Sequence, residues 1–321
     1  MKILSYIYLL ITNIRNFFYD TNLIKAYNSD SYVISIGNII AGGTGKTPII
    51  IHIANLLKNE GYKVGIITGG YRRKSKGLIE VHDVDKLSTT VDKAGDEAFM
   101  IAKKTHVPLL IHDMKYKALK ELDRKFELDI VLIDDGFQHR KIHRDLDIVI
   151  INDKTIEENN LIPAGMLREK KSNISRSDLL LYRDLESSLN IHDNIDKFHF
   201  RSNINATKIN KNKSVVVTAI ANSSNFVKFL NENDASIENV FKFKDHHFFT
   251  DSEVENIINY CKSNNIKSIY TTEKDYVKLN VFSPNISDND IGLICIELEI
   301  IFDNPNKFKN YILSKINENS N

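Results

Sequence analysis

Cysteine, proline and glycine are scarce in this chain: its 321 residues hold two, five and 13 of them, and tryptophan is absent. The two cysteines, Cys261 and Cys295, are far apart and lack metal-ligand spacing. They exclude a disulfide framework and a zinc site and fit a reducing compartment. Charge of one sign is not in excess either, since 43 Lys and Arg balance 42 Asp and Glu for a net +1. That removes nucleic-acid binding by bulk electrostatics and leaves anion binding to local sites. Long hydrophobic runs are missing too. The longest near the N-terminus, Tyr6 to Ile11, falls far short of the ~18 residues a transmembrane helix needs. What is present, 42% hydrophobic and 26% charged residues, is the balance of a folded protein rather than a disordered or fibrous one. The length allows about two domains of roughly 150 residues each.

Residues Ile3, Ile7, Leu10, Ile14 and Phe17 recur at steps of three and four, while Lys2, Thr12, Asn13, Arg15 and Asn16 fall elsewhere, which predicts an N-terminal amphipathic helix. Its apolar side has two possible uses: packing on the rest of the protein, or lying in a membrane interface, where Phe and Tyr near basic residues are at home. No small-residue cleavage site follows, and Asp20 and Lys25 interrupt the segment, which argues against a secretory signal.

Beyond the helix, short β-branched runs alternate with helical stretches, the pattern of an α/β protein with a largely parallel sheet. Strands are expected at 32–36, 63–68, 107–112, 129–133 and 147–151, then in a second series at 178–182, 214–219, 268–272 and 292–298. A polar stretch with Pro163 and Gly165 lies between the series. The expected division is therefore a first α/β domain over 1–151, carrying the N-terminal helix, and a second, smaller α/β domain over 152–321.

Gly42, Gly43, Thr44, Gly45, Lys46 and Thr47, with Pro48 after them, lie between the first strand and a helix with apolar positions at Ile50, Ile53, Ala54 and Leu57. The glycines let backbone N–H groups converge on one point, the helix N-terminus adds positive potential, Lys46 supplies a cation for the β- and γ-phosphates, and Thr47 a hydroxyl for Mg²⁺. Ile40 stands where a strict Walker A motif has its first glycine, so the loop is a variant. The run from Asp129 to Asp135 is an apolar strand ending in two acids, the partner a P-loop needs to hold a metal.

These blocks continue with Gly136-Phe137-Gln138-His139, Arg144-Asp145-Leu146-Asp147 and Pro163 to Glu169. Together with Gly70 to Gly77, Gly95-Asp96-Glu97 and Thr272-Glu273-Lys274-Asp275, they strongly resemble the tetraacyldisaccharide 4′-kinase (lipid A 4′-kinase) family, in the family's order from near residue 33 to near residue 279. The resemblance implies two α/β/α domains around a cleft and transfer of the γ-phosphate of ATP, with Mg²⁺, to the 4′-hydroxyl of tetraacyldisaccharide 1-phosphate, a lipid A precursor, giving lipid IVA. It implies work at the cytoplasmic face of the inner membrane of a Gram-negative cell, the helix approaching that surface, with neither nucleic acid nor an obligate protein partner. By the same resemblance Asp96 is the general base and His246, in Asp245-His246-His247, its partner, whereas His247 is not. Lys46 and Arg168 are the cations at the transferring phosphate. Gln138 is placed on a phosphate or metal water, and Thr47, Glu97, Asp134 and Asp135 are the metal candidates. Gly69 occupies a position where the family pattern usually has arginine, with Arg72 or Arg73 as the nearest substitutes. The basic run Arg72 to Lys76 is placed near the substrate's 1-phosphate or anionic headgroups; the role of the Thr272–Asp275 block is open.

Two other classes share the phosphate loop: a GTPase-like switch or metallochaperone, and a membrane scaffold with a vestigial nucleotide site. No Asn-Lys-x-Asp block and no paired cysteines support the first, and the intact Gly45-Lys46-Thr47 and Asp134-Asp135 weigh against the second.

Overall fold

A computed structural model describes residues 1–83, 86–184 and 194–318. Among them are thirteen strands: β1 (Tyr32–Gly37), β2 (Val64–Thr68), β3 (Ile79–His82), β4 (Leu109–Ile111), β5 (Ile130–Asp134), β6 (Leu146–Ile151), β7 (Leu179–Arg183), β8 (Asp196–Ile204), β9 (Lys213–Thr218), β10 (Ser236–Lys242), β11 (Ser268–Thr272), β12 (Gly292–Ile296) and β13 (Leu298–Phe302). They form a nine-stranded sheet, ordered β13-β8-β7-β6-β1-β5-β2-β4-β3, and a four-stranded sheet, β10-β9-β11-β12. In the larger sheet only the edge strands β3 and β13 pair antiparallel; the smaller sheet is parallel throughout.

Strands covered on both faces read as continuous apolar runs, and β5 and β6 are buried at every residue. Alternate residues of β1 supply two cores: Ile34 and Ile36 pack with Ile49, Ile50 and Ile53 of the Lys46–Asn59 helix, while Val33 packs with Leu119 and Leu122 of the Lys115–Lys125 helix on the other face. This is the α/β layer architecture expected from the alternation of elements.

The sheet does not change where the sequence pattern placed the division at 151/152. Strands β7 and β8 extend the first sheet, and β13, near the C-terminus, returns to pair with β8. The second sheet begins only at Lys213 and ends at Ile296. Apolar runs identify strands but not the sheet they join, which is decided by which neighbour completes the hydrogen-bond ladder.

The N-terminal helix, Lys2–Asp20, inverts one expected use of its apolar side. The half-buried or buried stripe is Ser5, Tyr8, Leu9, Thr12, Arg15, Asn16 and Tyr19, predominantly polar, and it faces the protein. Ile3, Leu4, Ile7, Leu10, Ile11, Ile14 and Phe17 point outward, with Ile3 75% exposed. The docked face is held by hydrogen bonds rather than by apolar packing. No described helix is long and apolar enough to cross a membrane.

Gly37 ends β1 under Phe137, whose Cβ and backbone N would lie 2.6 and 2.9 Å from any Cβ placed there. Backbone is the obstacle, so the neighbour cannot rotate away. Gly37→Ala is expected to cost about 2 kcal/mol through overpacking and to lower the thermal midpoint by about 5 °C, measured by calorimetry.

Candidate active site

In a parallel sheet the carboxyl ends of the strands collect the loops that bind ligands. The loop after β1 reaches the N-terminus of the Lys46–Asn59 helix through Gly42 (φ 110°) and Gly45 (φ 88°), a left-handed backbone that favours glycine. The Asn38 side-chain amide donates to Thr44 Oγ1 at 2.8 Å and braces the loop from inside. Ile40, at the variant position, is buried and bridges Leu167, so that end of the loop is fixed by a β-bridge. Thr47 lies half-buried in the first turn of the helix.

Strand β5 delivers Asp134 and Asp135. Asp134 Oδ2 accepts from Thr68 Oγ1 at 2.7 Å, and burial pushes its carboxyl above the usual range despite the nearby Lys115. Asp135 behaves in the opposite way. Burial opposes its ionisation, but Lys46, Lys115 and Arg168 together outweigh that and hold the carboxyl well below its ordinary value. Arg168 Nη1 donates to Asp135 Oδ2 at 2.7 Å, and Lys46 Nζ stands 3.4 Å from Oδ1. Gln138 ties the elements together, donating to the Asn38 carbonyl at 2.8 Å and lying 3.4 Å from Arg168.

Near Gly69 the cation is a lysine that the sequence pattern did not single out. The Lys115 stem lies against Gly69, with Cε 3.6 Å from a Cβ built there, and its ammonium donates to the Asp135 carbonyl at 2.8 Å. Arg73 turns instead to Asp113 and the Gly77 carbonyl, and Arg72 to the Asp245 carbonyl. Arg183, at the end of β7, is a second unforeseen cation: its Nη1 would be 2.9 Å from a Cβ at Gly45. Both sit at the carboxyl edge of the sheet, the signal that would have found them once strand ends were assigned.

Asp96 opens the Asp96–Thr105 helix and is 2% exposed. The Glu97 backbone N–H donates to its Oδ1 at 2.9 Å. Across the cleft, His246 follows β10 with a left-handed backbone (φ 65°) and places Nδ1 3.0 Å from Asp96 Oδ2. Lys274 Nζ lies 3.0 Å from His246 Nε2. An ammonium can only donate, so Nε2 is the acceptor and the ring proton sits on Nδ1, donated to Asp96. Burial raises the Asp96 carboxyl, but the His246 hydrogen bond and the charges of Lys274 and Lys278 more than cancel it, leaving the group below its usual range. His247 turns away to Glu253, 2.9 Å distant.

The Thr272–Asp275 block connects the smaller sheet to Asp96. Thr272 caps the Glu273–Leu279 helix, and the fully buried Asp275 accepts from Ala219 N at 2.9 Å, Thr218 Oγ1 at 3.1 Å and Thr272 Oγ1 at 2.9 Å. Lys278 pairs with Asp275 at 2.9 Å and stands 3.6 Å from Asp96. Glu273 pairs with Lys104 on the Asp96–Thr105 helix. Glu97 lies 3.5 Å from Lys274, and burial raises its carboxyl with a contribution from Asp134.

The residues fit Mg²⁺. Asp135 Oδ1 is buried and has no hydrogen-bond partner among the described residues, and its ionised state suits a hard cation bound largely through phosphate and water oxygens. The described residues contain no cluster of three or more His, Cys, Asp or Glu able to hold a metal. A nucleotide-bound Mg²⁺ needs only one or two protein carboxylates.

The sequence profile of the family "Tetraacyldisaccharide-1-P 4′-kinase" matches residues 1–317. A tetraacyldisaccharide 4′-kinase from Halothermothrix orenii is 32% identical, over 94% of this chain and 88% of its own. One from Aquifex aeolicus is also 32% identical, over 88% and 91%. Among solved structures, LpxK from Aquifex aeolicus, in complex with ATP, superposes with a TM-score of 0.82 at 28% identity, covering 98% of this chain and 97% of that one. With a match along almost its whole length and a shared fold, the chain belongs to the tetraacyldisaccharide 4′-kinase family, kinases that phosphorylate a lipid A precursor.

Proposed function

We propose that this chain carries out its kinase reaction with Asp96 as the proton acceptor for the sugar 4′-hydroxyl, the loop 42–47 as the triphosphate cradle, and the N-terminal helix as its attachment to the membrane that holds the lipid. The observation that carries this reading is the buried, ionised Asp96 carboxylate, held by His246 across the cleft from the phosphate-loop sheet.

Phosphoryl transfer is mainly positioning and charge neutralisation. Backbone N–H groups of Gly42 to Gly45 and the helix N-terminus bind the phosphates, and Lys46 and Arg168 neutralise charge at the transferring group. Thr47 and Asp135 would hold Mg²⁺, with Asp134 and Glu97 as further carboxylates, and the ion would supply positive charge against that of the phosphates. Gln138 orients Arg168. A carboxylate depressed below its ordinary pKa is a weak base toward an alcohol. In a loose transition state, however, the hydroxyl proton leaves late, and a well-placed weak acceptor suffices. His246 shares the Asp96 charge and fixes which oxygen lone pair remains for the substrate.

The outward apolar residues of the Lys2–Asp20 helix, joined by Leu23 and Ile24, suit a helix lying in the membrane interface. Three or four such side chains at about 1.5 kcal/mol each amount to roughly 5 kcal/mol, enough for reversible attachment at the cytoplasmic face of an inner membrane.

Thin-layer separation of products from radiolabelled ATP and tetraacyldisaccharide 1-phosphate tests the reaction directly; hydrolysis without a labelled lipid would overturn it. Asp96→Ala is expected to lower kcat by about 10²- to 10⁴-fold while ATP affinity stays within a few-fold, whereas Lys46→Ala harms both. Lys278→Met removes a cation that helps depress Asp96, so the acid limb of the pH profile of kcat/KM should move to higher pH. Replacing Ile7 and Leu10 with Asp should abolish sedimentation with anionic vesicles without changing activity on detergent-dispersed substrate.

A further inference from the structure

The inward face of the N-terminal helix does more than attach it. Ser5 Oγ donates to the Leu161 carbonyl at 2.9 Å and accepts from Ala164 N at 3.0 Å. Tyr8 donates its hydroxyl proton to the Arg168 carbonyl at 2.9 Å. Asn16 Nδ2 donates to Glu169 Oε2 at 2.9 Å, and Arg15 stands 3.5 Å from Oε1. Glu169 is completely buried, and its remaining partners, Asn173 and Arg176, come from the segment just after it. Every one of these helix contacts falls on residues 161–169.

That segment is in turn stitched to the phosphate loop. Ala41 N donates to the Met166 carbonyl and Arg168 N to the Ile39 carbonyl, both at 2.7 Å, while the Arg168 side chain grips Asp135. The helix therefore contacts the backbone of the residue whose guanidinium neutralises the acid at the phosphate site. A buried carboxylate is stable only when its charge and lone pairs are met, so Glu169 favours the arrangement in which Asn16 and Arg15 are docked.

We propose that Tyr8 and Asn16 are positioning residues for the kinase reaction: by clamping residues 161–169 they set the place of Arg168 over Asp135, so that the membrane-facing helix holds the catalytic loop in register. This rests on the role given above to Arg168. It separates two faces of one helix, an outer one for the bilayer and an inner one for turnover.

The experiment uses the full-length chain with Tyr8→Phe and Asn16→Ala, plus Asn16→Gln as the conservative variant. Tyr8→Phe removes one oxygen and leaves the helix pattern intact, so it remains informative if Asn16→Ala folds poorly. Hydrogen exchange is read first, because it does not depend on the identity of the reaction: amides within 161–169 should exchange at least five-fold faster in Tyr8→Phe and Asn16→Ala. On detergent-dispersed substrate, kcat should fall about ten-fold with the KM for ATP within two-fold, vesicle sedimentation should be unchanged, and Asn16→Gln should recover part of kcat. Unaltered exchange over 161–169 overturns the clamp. Faster exchange with wild-type kcat overturns its part in turnover. Loss of vesicle binding in parallel with kcat assigns both residues to attachment and likewise overturns the proposal. Should the wild-type enzyme itself form no labelled lipid, the kinase assignment fails, while the exchange result still decides whether the clamp exists.

Discussion

A carboxylate removed from water stays charged only if the surrounding charges outweigh its lost hydration, and this structure meets that condition at Asp96 with groups from two sheets. His246 donates to it, and Lys274 and Lys278 surround it. All three come from the part of the chain that builds or adjoins the smaller sheet, while Asp96 belongs to a helix packed on the larger one. The ring of charge around Asp96 is thus built where elements of the two sheets touch. Asp275 makes the meeting rigid: one side chain joins the ends of β9 and β11 and carries Lys278 toward Asp96.

The same balance is repeated at Asp135, where Lys46, Lys115 and Arg168 hold an ionised carboxylate at the end of a buried strand. Its neighbour Asp134 is pushed the other way, because burial and the charge of Asp135 outweigh Lys115, Lys46 and the Thr68 hydroxyl. Two adjacent acids are thus shifted in opposite directions because their environments differ. This is the arrangement by which proteins divide binding and structural duties between like residues.

Local features were legible in the sequence. The phosphate loop and the acid-terminated strand are contiguous motifs whose chemistry follows from spacing alone, and the α/β alternation followed from hydrophobic period. Residues acting at a distance were not. Lys115 and Lys278 lie in helices where lysine is ordinarily a solvated surface residue, and only the packing turns Lys278 inward to 2% exposure. The extent of the larger sheet was hidden for a related reason: β7 and β8 look alike in composition to strands of either sheet, and β13 returns from almost a hundred residues away. The N-terminal helix was legible as a helix, but its pattern left open which side meets the protein. Its apolar period is real, but the side that meets the protein is the polar one.

The smaller sheet enters and leaves the larger one through β8 and β13, which run antiparallel side by side, with Leu298 opposite Ile204. Both passages of the chain between the sheets therefore lie side by side at one edge of the larger sheet, and the contacts of His246 and Lys278 with Asp96 join the two sheets again at a second place.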